Sequence, residues 1–186
     1  MNQLKTITLL LIITSGLLSL KLKDVKWVEF KYPNRNNTVI TLNTDNFNSF
    51  SKEWRGSDYY YYGISTDSII CSVLYYKLNK EEQKLMVDPF GGMASPGIPF
   101  IYFSDNSNLK KYETNNNNWG KMTDDFMFRQ NDIEEFEGIK IKQKHMYAYT
   151  MFDKDLFVNI HLSKTNYTAK DSTTMRYILS ALTIKK

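Results

Sequence analysis

His145 and His161 are the two imidazoles in a chain of 186 residues. They fall in neighbouring runs of alternating apolar and polar residues, Ile139 to Thr150 and Leu156 to Ser163. Two imidazoles on adjacent strands can hold a zinc ion or pass a proton, so the register between the runs decides the chemistry. With Asp153 and Lys154 as the turn centre, His145 lies opposite Leu162 and His161 opposite Met146, which sends the rings to opposite faces of a sheet. That register predicts no shared histidine site, although a one-residue bulge would reverse it. Carboxylates are the next candidates. Asp124, Asp125, Asp132, Glu134, Glu135 and Glu137 crowd one stretch with Arg129 between them. Asp124 or Asp125 with a Glu from this run has the composition of a paired-carboxylate hydrolase. The simpler reading is a solvated acidic edge that faces Lys140, Lys142 and Lys144 at strand spacing. No nucleophile elbow, metalloprotease helix, phosphate loop or ordered calcium loop is present, and Gly91-Gly92 lacks the residues that would complete a phosphate cradle. Cys71 sits in an apolar run with no Lys, Arg or His within five residues, so it reads as a core thiol. No catalytic residue, metal or other cofactor is assigned.

Two segments carry binding chemistry instead. Tyr59 to Tyr62 are four consecutive tyrosines, so alternation sends two to each side of a strand. Tyr60 and Tyr62 are the candidates for the open side, where a phenol ring stacks on a sugar or grips a peptide. Asp88 to Pro99 holds three of the four prolines and three of the eight glycines. Such a segment forms neither a regular helix nor a central strand, and its Phe90, Met93 and Ile98 need cover from the core or from a ligand.

The elements that must position these residues are mainly strands. Val25 to Tyr32, Val39 to Leu42, Tyr59 to Ile64 and Ser68 to Leu78 alternate or run apolar, the last as a central strand would. Pro99 to Phe103 and Phe126 to Phe128 add shorter strand signals, and the two histidine-bearing runs form a hairpin around Phe152 to Asp155. Helices are fewer. Phe47, Phe50 and Trp54 at spacings of three and four predict a short helix within Asn43 to Trp54. Asn79 with Glu82 marks another start, and Asp105 to Tyr112 suggests a third. Thr168 with Asp171 makes a capping box, and Met175, Ile178, Leu179 and Leu182 follow at the spacing of one helical face. Ser180 to Ile184 then turns into a last edge segment. The class is α+β, a single domain of mainly antiparallel sheet with an amphipathic C-terminal helix.

Composition bounds the setting. Hydrophobic residues make up 42% of the chain, enough for a core, and one Cys makes no intramolecular disulfide. The formal charge of +4 is mild, and few of its basic residues are Arg, so nucleic acid is not an expected partner. Lys5 is followed by the uncharged Leu- and Ile-rich run Thr6 to Leu20, a secretory signal pattern too short to span a bilayer comfortably. Residues 1–19 are therefore expected to be a cleaved signal peptide and residues 20–186 the domain. No Cys precedes Cys71, so lipoprotein attachment is not expected; the mature protein is expected in the periplasm or secreted, with no membrane span.

The hairpin, the amphipathic helix and the terminal Ser-Ala-Leu-Thr-Ile-Lys-Lys together resemble the end of the Mog1/PsbP-like α/β/α sandwich, over Leu156 to Lys186. The whole chain is similar in style to small exported proteins of the Bacteroidota. The resemblance implies a binding or assembly factor rather than an enzyme. It transfers no site residue, and Tyr32-Pro33 followed by Asn departs from the family's early strand pattern. The sequence thus reads as an exported non-catalytic binding or accessory module for a protein or cell-envelope ligand, the expected partner being a protein or a glycan. The alternative is a small exported hydrolase built on the 124–137 carboxylates or His145.

Overall fold

The computed structural model describes residues 26–56, 58–85, 112, 114 and 118–185. The expected signal peptide, the Asp88 to Pro99 loop, the strand expected at Pro99 to Phe103 and all but Tyr112 of the helix expected at Asp105 to Tyr112 lie outside the described residues.

Among the described residues, ten strands form two antiparallel sheets. A small sheet runs in the order β1 (Trp27–Lys31), β2 (Val39–Asn43), β10 (Leu182–Lys185). The large sheet runs β3 (Ser51–Arg55), β4 (Asp58–Ile64), β5 (Ile70–Lys77), β9 (Leu156–Thr165), β8 (Ile139–Phe152), β7 (Met127–Phe136), β6 (Asn118–Lys121). Two helices are described, α1 (Lys80–Leu85) after β5 and α2 (Ala169–Ser180) before β10.

One face of the large sheet holds the core. Tyr59, Tyr61, Cys71, Val73, Tyr75, Met146, Ala148, Val158, Ile160 and Leu162 point inward from it and meet Phe30, Ile40 and Leu42 of the small sheet. Helix α2 closes the same side with Met175, Ile178 and Leu179. Its start is the expected capping box, with the Asp171 amide donating to Thr168 Oγ1 at 3.2 Å and the Thr168 amide donating to the Asp171 carboxylate at 2.8 Å. The α+β class and the antiparallel sheet agree with the sequence reading. Among the described residues the long helix shares its side of the large sheet with the small sheet.

One expected element differs. Asn43 to Trp54 forms no helix: Phe47 makes an isolated bridge to Ser65, and Ser51–Arg55 is the exposed edge strand β3. The aromatic spacing is real, since Phe47 and Phe50 pack together and Phe50 meets Phe30 edge-on at 4.9 Å. The segment from Asn43 to Ser51 is rich in Asn, Asp, Ser and Thr, whose side chains compete with helical hydrogen bonds. Thr44 Oγ1 does so by accepting from the Asn46 amide at 3.1 Å.

Candidate ligand-binding face of the large sheet

Every inward residue of the large sheet has outward neighbours one step along its strand. The registers line these outward residues up in rows. One row runs Tyr62, Ser72, His161, Tyr147, Arg129 from β4 to β7, and the next runs Tyr60, Leu74, Asn159, Tyr149, Met127. On the other side of the first row, Ser163, His145 and Asn131 are paired across β9, β8 and β7.

These rows overturn the expectation that the histidines part. The hairpin closes with Phe152 opposite Leu156, which leaves three loop residues, and His161 faces Tyr147 while His145 faces Ser163. An odd loop shifts the pairing by one residue relative to a two-residue turn, and a one-residue shift moves side chains to the other face. Asp153 and Lys154 both adopt positive φ, 51° and 60°, to make that loop. As a result His145 Nδ1 and His161 Nε2 are 2.8 Å apart, with ring planes 5° from parallel and centroids 5.1 Å apart. This is one N–H···N hydrogen bond, in which one ring donates and the other accepts.

Burial keeps both rings neutral. It pushes His145 from 6.5 down to about 4, with Asp132 opposing and Arg129 assisting. His161 is also pushed below its ordinary value by burial and by His145. Near the pair, His145 Nε2, Asn159 Oδ1 and both polar atoms of the Asn131 amide are enclosed without a hydrogen-bond partner among the described residues. Asn131 and Asn159 carried no motif in the sequence. The alternation of β7 and β9 is the signal that places them, once the histidine face is known. Among the described residues no three His, Cys, Asp or Glu side chains gather as a metal site.

The tyrosine run divides as its alternation predicts. Tyr59 and Tyr61 are core residues, whereas Tyr60 and Tyr62 lie on the outward face, half-buried. Their rings run near-parallel, 22° apart with centroids separated by 6.5 Å. Ser51, Glu53 and Arg55 from edge strand β3 complete a groove of about 290 Å³ around them. Arg55 lies over the Tyr60 ring at 4.8 Å and bonds Glu53 at 3.1 Å. Sequence reasoning missed these three polar residues because it assigned β3 to a helix. Phe90, Met93 and Ile98 lie outside the described residues.

The carboxylates do not converge. Asp124 is exposed and pairs with Lys121 at 2.7 Å, and Asp125 lies beside it before β7. Glu135 sits near the far end of that strand opposite Lys140, about 30 Å away at the rise of an extended chain. The expected facing of acids and lysines is present, but not all of it is solvated: Asp132 and Lys144 are buried together and paired at 2.7 Å. Cys71 is fully buried in the core, and burial pushes its thiol far up, as the sequence led one to expect.

No family model and no curated protein matches the sequence. Among solved structures, the chain is similar to LpqN, involved in cell envelope biogenesis of Mycobacterium tuberculosis, at 10% identity and a TM-score of 0.39, over 88% of this chain and 93% of that one. No helix among the described residues is long and apolar enough to cross a membrane.

Proposed function

We propose that the protein is an exported, non-catalytic binding or accessory module that grips a protein or glycan of the cell envelope on the outward face of its large sheet. The observation that carries this reading is the Tyr60–Tyr62 groove. Two near-parallel phenol rings lie on the strand next to an edge, and a hydroxyl, a carboxylate and a guanidinium rim them. Flat aromatic surface beside hydrogen-bonding groups suits a sugar ring or a peptide side chain. Export rests on residues 1–19 acting as a signal peptide ahead of a single domain. Phe90, Met93 and Ile98 of the Pro- and Gly-rich loop belong to the same reading, as apolar contacts at the site. The Mog1/PsbP-like resemblance of the C-terminal segment favours an accessory role over catalysis.

The test is capture from envelope extracts on immobilised protein, comparing the natural chain with Tyr60→Ala/Tyr62→Ala and with Glu135→Ala as a distant surface control. Ligand should be retained by the control and lost, by about tenfold or more, in the tyrosine variant, since a buried aromatic anchor contributes over 1 kcal/mol. Equal capture by all three proteins would overturn the assignment of this site.

A further inference from the structure

A second concavity lies at one end of the sandwich, where four separate pieces of chain meet. The turn after β1, the tip of the β8–β9 hairpin, the end of β10 and Asp125 before β7 enclose a groove of about 820 Å³. That volume is within the range of small-molecule sites. We infer that this groove is a binding site for an uncharged carbohydrate, separate from the tyrosine groove.

The walls are fixed before any ligand arrives. Arg35 of the first turn donates both guanidinium arms to Asp155 of the hairpin tip, at 2.7 and 2.5 Å, and Asn37 donates to Asp153 at 3.1 Å. The Leu78 amide holds the tip from the other side by donating to the Asp155 carbonyl at 2.8 Å. A bidentate pair of this kind sets orientation as well as distance. A pre-ordered site loses less entropy when it binds.

The charges then select the ligand. Arg35 is taken by Asp155, and Lys31 and Lys185 share the carboxylate of Glu29 at 2.6 and 3.0 Å. Each lining cation thus has a carboxylate partner, while Asp125 adds a carboxylate with no ion pair among the described residues. A phosphate or carboxylate ligand would have to compete with Asp155 and Glu29 for these cations and would meet the Asp125 carboxylate. What is left open is neutral chemistry. Asn34 and Asn36 are exposed in the lining and make no side-chain hydrogen bond among the described residues. An amide offers a donor and an acceptor in one plane, a carboxylate accepts, and vicinal sugar hydroxyls supply both in return. Half-buried Tyr32 gives the apolar surface on which a sugar ring stacks, with the largely buried Phe152 beneath it.

The test is a titration of the ¹⁵N-labelled protein with maltotriose, cellotriose and chitotriose, with trigalacturonate as the charged comparator, followed on the Asn34 and Asn36 side-chain amide signals. At least one neutral trisaccharide should move these signals saturably at millimolar concentration. Asp125→Ala, an exposed change, should weaken that binding by about tenfold while leaving the melting temperature unchanged. The inference fails if no neutral trisaccharide moves these signals, if trigalacturonate binds more tightly, or if the perturbations map only to the neighbours of Tyr60 and Tyr62. That last result would leave the tyrosine groove standing and remove this one.

Discussion

Tyr75 is fully buried, yet its phenol is fully engaged: it donates to the Phe30 carbonyl at 2.8 Å and lies 3.2 Å from the Thr38 carbonyl. Tyr61 does the same for the neighbouring residue, donating to the Lys31 carbonyl at 2.9 Å and accepting from the Lys31 amide at 3.0 Å. Core tyrosines of the large sheet therefore satisfy the backbone of β1, an edge strand of the small one. Tyr75→Phe removes the hydroxyl and leaves carbonyls enclosed, a loss of about 1–3 kcal/mol, which urea denaturation followed by circular dichroism would measure. Gly63 is the complementary case. A Cβ there would lie 2.8 Å from two carbons of the Phe50 ring and 3.0 Å from the Ser49 carbonyl oxygen, so the ring is seated on the bare backbone. Gly63→Ala should cost about 1–3 kcal/mol through overpacking, and the same denaturation series tests it. Alternation showed in the sequence which tyrosines point inward. It did not show where their hydroxyls end, because the accepting carbonyls lie 45 and 37 residues away in another sheet.

At the scale of elements, the β8–β9 hairpin shows what pattern can and cannot supply. Both strands, to within two residues at their ends, and the C-terminal helix with its cap were legible, because alternation and capping are local signals. The pairing was not. A turn centred on Asp153 and Lys154 and a loop of Asp153, Lys154 and Asp155 differ by a single residue, yet only the second puts the histidines on one face. No local propensity separates the two, since Asp and Lys are not glycine and still take positive φ here. What favours the longer loop is long-range. The Asp155 amide still donates to the Phe152 carbonyl at 3.2 Å, but its carboxylate is held by Arg35, 120 residues earlier, and its carbonyl by the Leu78 amide. Deleting Lys154 leaves Asp153 and Asp155 as a two-residue turn between Phe152 and Leu156, so the strand pairs are kept while the Arg35–Asp155 contact is disturbed. The variant is expected to keep a dispersed ¹H–¹⁵N spectrum and the His145–His161 contact, with a lower urea midpoint. Collapse of amide dispersion would show that the three-residue loop itself is needed to set the register. The neighbouring β7–β8 hairpin needs no such anchor, since its turn contains Gly138 at φ 81° after Glu137 at 50°, a signal that sequence does carry.

For the molecule as a whole, the enclosed histidine pair ties stability to pH. In the unfolded chain an imidazole takes up its proton near pH 6.5, whereas folded His145 resists until about pH 4 and His161 is depressed in the same direction. Between those limits the unfolded state binds more protons, so acidification favours unfolding, by about 1.4 kcal/mol per pH unit for each excess proton. The stabilisation is fully present above pH 6.5 and is lost as pH falls toward 4. A second limb begins lower. Lys164 and the Thr168 cap hold Asp171 down to about 2, and Arg35 holds Asp155 below its ordinary 3.8, so their contribution is present above the ordinary carboxylate range and fades as pH drops through the depressed values. Denaturant midpoints measured from pH 7 to pH 3 should therefore fall in two stages. His145→Gln/His161→Gln, which keeps hydrogen-bonding groups but removes the titration, should flatten the stage between 6.5 and 4 and leave the lower one unchanged. If the variant keeps the natural slope across the upper window, the proton uptake belongs to other groups, and the pair is not held neutral by the fold.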